Sequence, residues 1–173
     1  MKKTVAVVNS ENVEIISAIE KYFGKSEVEV CIVECEEDLS SYSLVALTSF
    51  ENPDVKVENS QIINVFPALL PSFADKNPLR TSFLSGIKVG GITVHKVEKD
   101  NFYGKILAQY PVLIGNSTHF DDYSKEILSV AKFIYPKVIE AVLYDRVFDF
   151  YDLVHSKTCA GSCSGSCSSC CGH

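Results

Sequence analysis

No stretch of this chain approaches the roughly 18 consecutive apolar residues that a membrane-spanning helix needs. The sequence therefore predicts no membrane partner. Basic residues are the minority: 16 Lys and Arg stand against 22 Asp and Glu, for a net charge of −6, and no basic stripe interrupts that balance. A surface of this sign repels polyphosphates, which excludes nucleic acid as a partner. Any anionic substrate has to be met by local cations or by backbone amides. The first residues do not read as a secretory leader either. Met1-Lys2-Lys3-Thr4 leads directly into Val5-Ala6-Val7-Val8, a short apolar run with no small-residue cleavage site. The expectation is a cytoplasmic chain whose cysteines are reduced or metal-bound.

What is present is an ordinary globular body. Apolar residues make up 46% of 173 residues, enough for one domain that folds without disulfides. Residues 4–8, 28–33, 44–49 and 61–66 are short apolar runs rich in β-branched residues, as buried strands are. Between the first two, Ile15, Ile16, Ile19, Tyr22 and Phe23 recur at helical spacing, with Asn9 or Ser10 as a cap and Gly24 as a stop. A further helix is expected over 78–86, then strands over 88–97 and 105–114. A long helix capped by Asp121 or Asp122 follows, with a kink expected at Pro136 rather than two separate helices. Strand, helix, strand with short apolar runs predicts an α/β fold, a mostly parallel sheet flanked by helices. After residue 150 the composition changes, so the chain divides into a domain over 1–150 and a tail over 151–173.

One segment carries a specific signature. Asn64-Val65-Phe66-Pro67-Ala68-Leu69-Leu70-Pro71 resembles the N-x-H-P-[SA]-L-L-P motif of folate-dependent formyltransferases, the glycinamide ribonucleotide formyltransferase family in particular. Gly91-Ile92-Thr93-Val94-His95-Lys96-Val97 is similar to the family's G-x-T-V-H-x-V strand. Gly104-Lys105-Ile106-Leu107-Ala108-Gln109 is similar to its G-x-I-[IL]-x-Q. Ile134-Tyr135-Pro136 matches the family's closing helix. The resemblance implies a Rossmann-like formyltransferase fold, slightly truncated between the first helix and residue 44.

The resemblance also implies a site, and this sequence departs from it. In the family an Asn and a His stabilise the oxyanion formed as an amine attacks the formyl carbon of 10-formyltetrahydrofolate. An Asp relays a proton. Asn64 keeps the first role. Phe66 stands where the His belongs and Phe102 where the Asp belongs; Asp100 is two residues away. Neither phenyl ring donates a hydrogen bond or carries a proton. His95 is expected as a neighbour of the site. The family's glycine-rich phosphate loop is replaced by Asn9-Ser10-Glu11-Asn12, whose carboxylate repels a phosphate. The expectation is a protein that has lost catalysis, with Phe66 and Phe102 filling the old pocket. The alternative is an active 10-formyltetrahydrofolate-dependent formyltransferase.

The tail is of another kind. Of seven cysteines, five (Cys159, Cys163, Cys167, Cys170 and Cys171) fall in Lys157-Thr158-Cys159-Ala160-Gly161-Ser162-Cys163-Ser164-Gly165-Ser166-Cys167-Ser168-Ser169-Cys170-Cys171-Gly172-His173. No core forms from glycine and serine. Thiolates at this density suit zinc, copper(I) or an iron–sulfur cluster. Cys159, Cys163, Cys167 and Cys170 suffice for tetrahedral closure, with Cys171, His173 or His155 able to exchange in. Transient disulfides between neighbouring thiols are the other chemistry open to them. Cys31 reads as an ordinary small core residue of a strand, with Cys35 at the strand's end. The partners expected are a small folate-like ligand or a protein bound through the tail.

Overall fold

The apolar runs become strands and the periodic runs become helices. The computed structural model describes residues 3–8, 10–34, 38–50, 61–98 and 103–155. In chain order the elements are β1 (Thr4–Val8), α1 (Val13–Phe23), β2 (Glu29–Val33), β3 (Leu44–Leu47), β4 (Ile62–Phe66), α2 (Pro78–Leu84), β5 (Val89–Val97), β6 (Ile106–Leu113), α3 (Phe120–Leu143) and α4 (Phe150–His155). The strands form one six-stranded sheet in the order β2-β1-β3-β4-β5-β6. The pairs β1–β2, β1–β3 and β3–β4 are parallel; β4–β5 and β5–β6 are antiparallel. Among the described residues no helix intervenes between β2 and β3, in keeping with the truncation expected there.

The alternation of side chains along each strand divides the interior in two. Val5 and Val7, Leu44 and Ala46, Ile63 and Val65, and Ile92 and Val94 point to one side, where they meet Ile15, Ile19 and Phe23 of α1 and Ile127, Ile134 and Val138 of α3. Leu79 and Phe83 of α2 and Phe150 and Leu153 of α4 pack against the same cluster. Each fully buried Leu, Ile, Val or Phe is worth about 1.5–3 kcal/mol, so this layer carries most of the stability. The opposite face holds Ala6, Val8, Val45, Leu47, Ile62 and Val97, covered by Leu39 and Tyr42 from loops. Cys31 is half-buried against this second cluster, as expected of a small core residue.

Two local expectations, both helix caps, change. The cap of α1 is Asn12 and that of α3 is His119, and neither makes a side-chain cap bond. Asp121 and Asp122 sit in the first turn of α3, where negative charge suits the helix N-terminus. The first cap lies later and the second earlier than the sequence implies; near α1, the Ser10 hydroxyl is engaged with Thr48 and with Asn12 N–H instead. The helix α3 is continuous through Pro136. Its C-terminus closes in a Schellman turn: Asp145 N–H donates to the Val142 carbonyl (3.2 Å) and Arg146 N–H to the Ala141 carbonyl (2.8 Å). Asp145, at φ 51°, holds the left-handed position that glycine usually takes. Among the described residues no helix is long and apolar enough to cross a membrane.

Helices α1 and α3 are joined by Tyr22, whose hydroxyl donates to Glu140 Oε2 at 2.5 Å. Burial, then this bond and the Glu140 charge, push the Tyr22 pKa up to about 12 from 10.0. The folded state therefore holds the phenol proton more tightly than the unfolded chain. The resulting stabilisation is present below pH 10.0 and lost as pH rises towards about 12. A phenolate absorbance titration should show a tyrosine ionising near that upper value that disappears in Tyr22→Phe. The stability difference between the two proteins should shrink across the same window. An unchanged alkaline limb in the variant would rule this out.

Candidate functional site

β4 is where the sheet changes from parallel to antiparallel, and the signature residues lie on its loop-covered face. Ile62, Asn64 and Phe66 share that face and pair across the ladder with Val97, His95 and Thr93. Asn64 thus sits directly opposite His95. Both are fully buried, at 0% exposure. Neither Nδ2 nor Oδ1 of the Asn64 amide has a hydrogen-bond partner among the described residues. A buried amide without partners costs roughly 1–3 kcal/mol, so it is kept against the interest of stability. His95 Nδ1 lies 3.0 Å from the Lys96 carbonyl, and since a carbonyl only accepts, Nδ1 carries a proton.

Phe66 closes this place. It is 1% exposed. Its ring stands edge-on to His95 (centroids 6.4 Å apart) and to Tyr103 (5.2 Å), and His95 and Tyr103 are 5.7 Å apart. Ala68, Leu70 and Phe73 complete the small cluster around it. The site is thus a cluster of three rings beside the buried Asn64 amide.

The other motif residues hold the loop that follows β4. Thr93 Oγ1 donates to the Ala68 carbonyl (2.7 Å) and accepts from Leu70 N–H (2.9 Å). Gln109 Nε2 donates to the Leu70 carbonyl (2.8 Å) and to Thr93 Oγ1 (3.1 Å). Phe73, at φ 57°, ends the loop in a conformation that bulky residues avoid. From α3, the Tyr135 hydroxyl faces the carbonyls of Leu47 (2.8 Å) and Ile63 (3.0 Å), and burial raises its pKa well above the ordinary tyrosine value. The motif Thr, Gln and Tyr are therefore scaffold groups, a division of labour that the spacing alone does not show.

The strand order reverses between β1 and β3, the crevice where open α/β sheets bind ligands. Here it is occupied by the chain's own hydrogen bonds. Thr48 Oγ1 donates to the Val8 carbonyl (2.9 Å) and lies 2.8 Å from Ser10 Oγ. Asn12 Nδ2 donates to the Thr48 carbonyl (2.7 Å) and Asn12 N–H to Ser10 Oγ (3.1 Å). Donors that could cradle a phosphate are spent on this net, and the exposed Glu11 flanks it. Sequence reasoning misses both Tyr103 and the Ser10–Asn12–Thr48 net. The signal for Tyr103 is its place before the motif residue Gly104.

Asn9, Phe102, Asp100, Cys35 and the tail residues Cys159, Cys163, Cys167, Cys170, Cys171 and His173 lie outside the described residues, as does the loop over 51–60. Among the described residues no group of three His, Cys, Asp or Glu is placed to hold a metal.

Comparison with known proteins adds a common theme. A family model described as formyl transferase matches residues 51–139. The chain is 30% identical over 126 residues to a phosphoribosylglycinamide formyltransferase of Bacillus subtilis (strain 168), a match covering 70% of this chain and 64% of that one. It is 28% identical over 125 residues to the trifunctional purine biosynthetic protein adenosine-3 of Bos taurus, covering 70% and 12%. It thus spans less than two thirds of these curated relatives. Among solved structures, a glycinamide ribonucleotide transformylase 1 from Geobacillus kaustophilus superposes with a TM-score of 0.69 at 19% identity, over 83% of this chain and 100% of the other. A 4-N formyltransferase from Francisella tularensis gives 0.71 at 18% identity, over 85% and 72%.

Proposed function

The chain belongs to the formyl transferase family, and on that premise we propose that it is a member which no longer transfers a formyl group and whose cysteine-rich tail binds a soft metal or an iron–sulfur cluster. One observation carries the first half: Phe66, at the position of the family's catalytic His, is buried against His95 and Tyr103, and the Asn64 amide two residues before it is fully buried as well. An oxyanion donor works only if the reacting carbonyl can come within hydrogen-bonding distance of it. The residues present at this position do not supply 10-formyltetrahydrofolate with the proton carrier the reaction needs, since the buried Phe66 ring neither donates a hydrogen bond nor carries a proton. Losing a single such donor slows a reaction by about 10²–10³; here the His is gone and the Asn is enclosed. The second half rests on the donor set itself. Cys159, Cys163, Cys167 and Cys170 supply four thiolates, with Cys171 and His173 as further ligands. The body then serves as a docking or ligand-sensing module for the tail.

A second reading, an active 10-formyltetrahydrofolate-dependent transferase with an amine acceptor, is favoured by the unpartnered Asn64 amide facing His95. Assay of the full chain with 10-formyltetrahydrofolate and glycinamide ribonucleotide, or other amines, separates the two. No turnover above the uncatalysed rate is expected. Turnover abolished by Asn64→Ala would establish the second reading. For the tail, protein purified without oxygen should carry zinc, copper or iron in near-stoichiometric amount, lost on removal of residues 157–173. Metal-free protein from that preparation would overturn the tail's role.

A further inference from the structure

A second place in the molecule departs from what folding alone would select. Beneath the C-terminal end of α3, at the end of β4 remote from Phe66, lies a hollow of about 250 Å³. Three cations line it: Lys96, Lys105 and Arg146. Among the described residues none of them makes an ion pair, although the chain carries more acid than base.

Their arrangement is locally unfavourable. Lys96 N–H donates to the Lys105 carbonyl at 2.8 Å, so pairing of β5 with β6 sets two like charges side by side on the ladder. Arg146 is not needed to cap α3, because the Leu143 carbonyl accepts from Lys3 Nζ and the Schellman turn meets the carbonyls before it. Asp145 shares the hollow and is disfavoured twice. It holds a left-handed backbone where glycine would be cheaper, and it places a carboxylate at the negative end of a helix. Arg146 lies 5.1 Å from the centre of the Tyr144 ring but pairs with no carboxylate among the described residues, and backbone strain beside unpaired charge gathers at binding sites. Gln61 is the other polar residue of the lining, and the rest of the wall is apolar, with Ile106, Val138, Val142 and Phe148.

We propose that this hollow binds a small ampholyte with an apolar body, in the manner of a free amino acid. Its anionic group is met by Lys96, Lys105 and Arg146, its hydrogen-bond donor by Asp145, and its side chain by the apolar wall. The main lining features are thereby used: the surplus of cations, the one carboxylate and the apolar surface. The size is just under the roughly 300–1,000 Å³ of sites for drug-sized ligands, which sets the ligand nearer an amino acid than a nucleotide. The site is independent of whether formyl transfer is lost.

The test is an amide NMR titration of the full chain with three probes: L-phenylalanine, 3-phenylpropionate, which lacks the ammonium group, and 2-phenylethylamine, which lacks the carboxylate. L-Phenylalanine should give saturable shifts confined to residues around Lys96, Lys105 and Arg146. Each truncated probe should bind weaker by roughly tenfold, the worth of one hydrogen bond to a charged group. Arg146→Gln should weaken L-phenylalanine and 3-phenylpropionate but leave 2-phenylethylamine unchanged. Asp145→Asn should narrow the gap between L-phenylalanine and 3-phenylpropionate. Both side chains are exposed, so both variants should keep the wild-type melting temperature and amide spectrum. Failure to saturate by about 10 mM, which corresponds to affinity too weak to be specific, would overturn the proposal. So would equal binding of the three probes, or an Arg146→Gln protein that binds as the wild type does.

Discussion

Gly91→Ala is expected to destabilise the protein by about 3 kcal/mol or more, a fall in Tm of roughly 6–12 °C for a chain of this length. A Cβ at Gly91 would lie 2.2 Å from the Tyr110 carbonyl oxygen and 2.8 Å from Leu69 Cδ2. The first contact is with backbone, in the strand that pairs Ile92 with Tyr110 and Gly91 with Pro111. It is relieved only by parting β5 from β6. The φ of 152° adds strain for any residue with a side chain. Gly86, at φ 74° with nothing near its missing Cβ, is the control. Gly86→Ala should lose only about 1 kcal/mol, from its backbone conformation alone. Chemical denaturation of both variants measures the contrast; equal losses would mean that the strands do not approach so closely at Gly91.

Phe66→Ala should remove about 3–5 kcal/mol, the transfer of a buried phenyl group plus the void it leaves. Phe66→His restores the family's residue in name only. It sets an imidazole among Ala68, Leu70 and Tyr103, where burial without a hydrogen-bond partner costs roughly 2 kcal/mol or more. It should therefore be less stable than the natural protein and still inactive with 10-formyltetrahydrofolate. A side chain lining an open cleft would behave otherwise, with both substitutions staying within about 0.5 kcal/mol. Denaturant midpoints of the two variants thus test whether the site is closed, by a route that needs no substrate. Small losses combined with turnover in Phe66→His would end the reading of a silenced transferase.

The strands are legible in the sequence because each is short, apolar and bounded by breakers. α3 is legible because Ile127, Ala131, Ile134 and Val138 keep helical period for many turns. The site is legible as a set of residues and not as an arrangement. Asn64 and His95 are far apart in the chain, and only the antiparallel register of β4 with β5 sets them opposite each other. That register depends on partners remote in sequence, which local pattern cannot supply. The helix caps are misplaced for a related reason. Ser10 has the chemistry to cap α1, but its hydroxyl is held by Thr48, just past the end of β3, and by the N–H of Asn12, so the helix starts after Asn12. The unfavourable placement of Asp145 and the Lys96–Lys105 pair are invisible in the sequence, since each residue is ordinary until the turn or ladder that constrains it is known.

The one-sided placement of the helices has an evolutionary corollary. The layer that holds α1 and α3 is separated by the sheet from the loops around Asn64, so the two can diverge at different rates. A lineage can exchange or silence its reactive residues while the folding layer persists unaltered. Such an architecture leaves behind durable shells, available for recruitment once their first employment has ended.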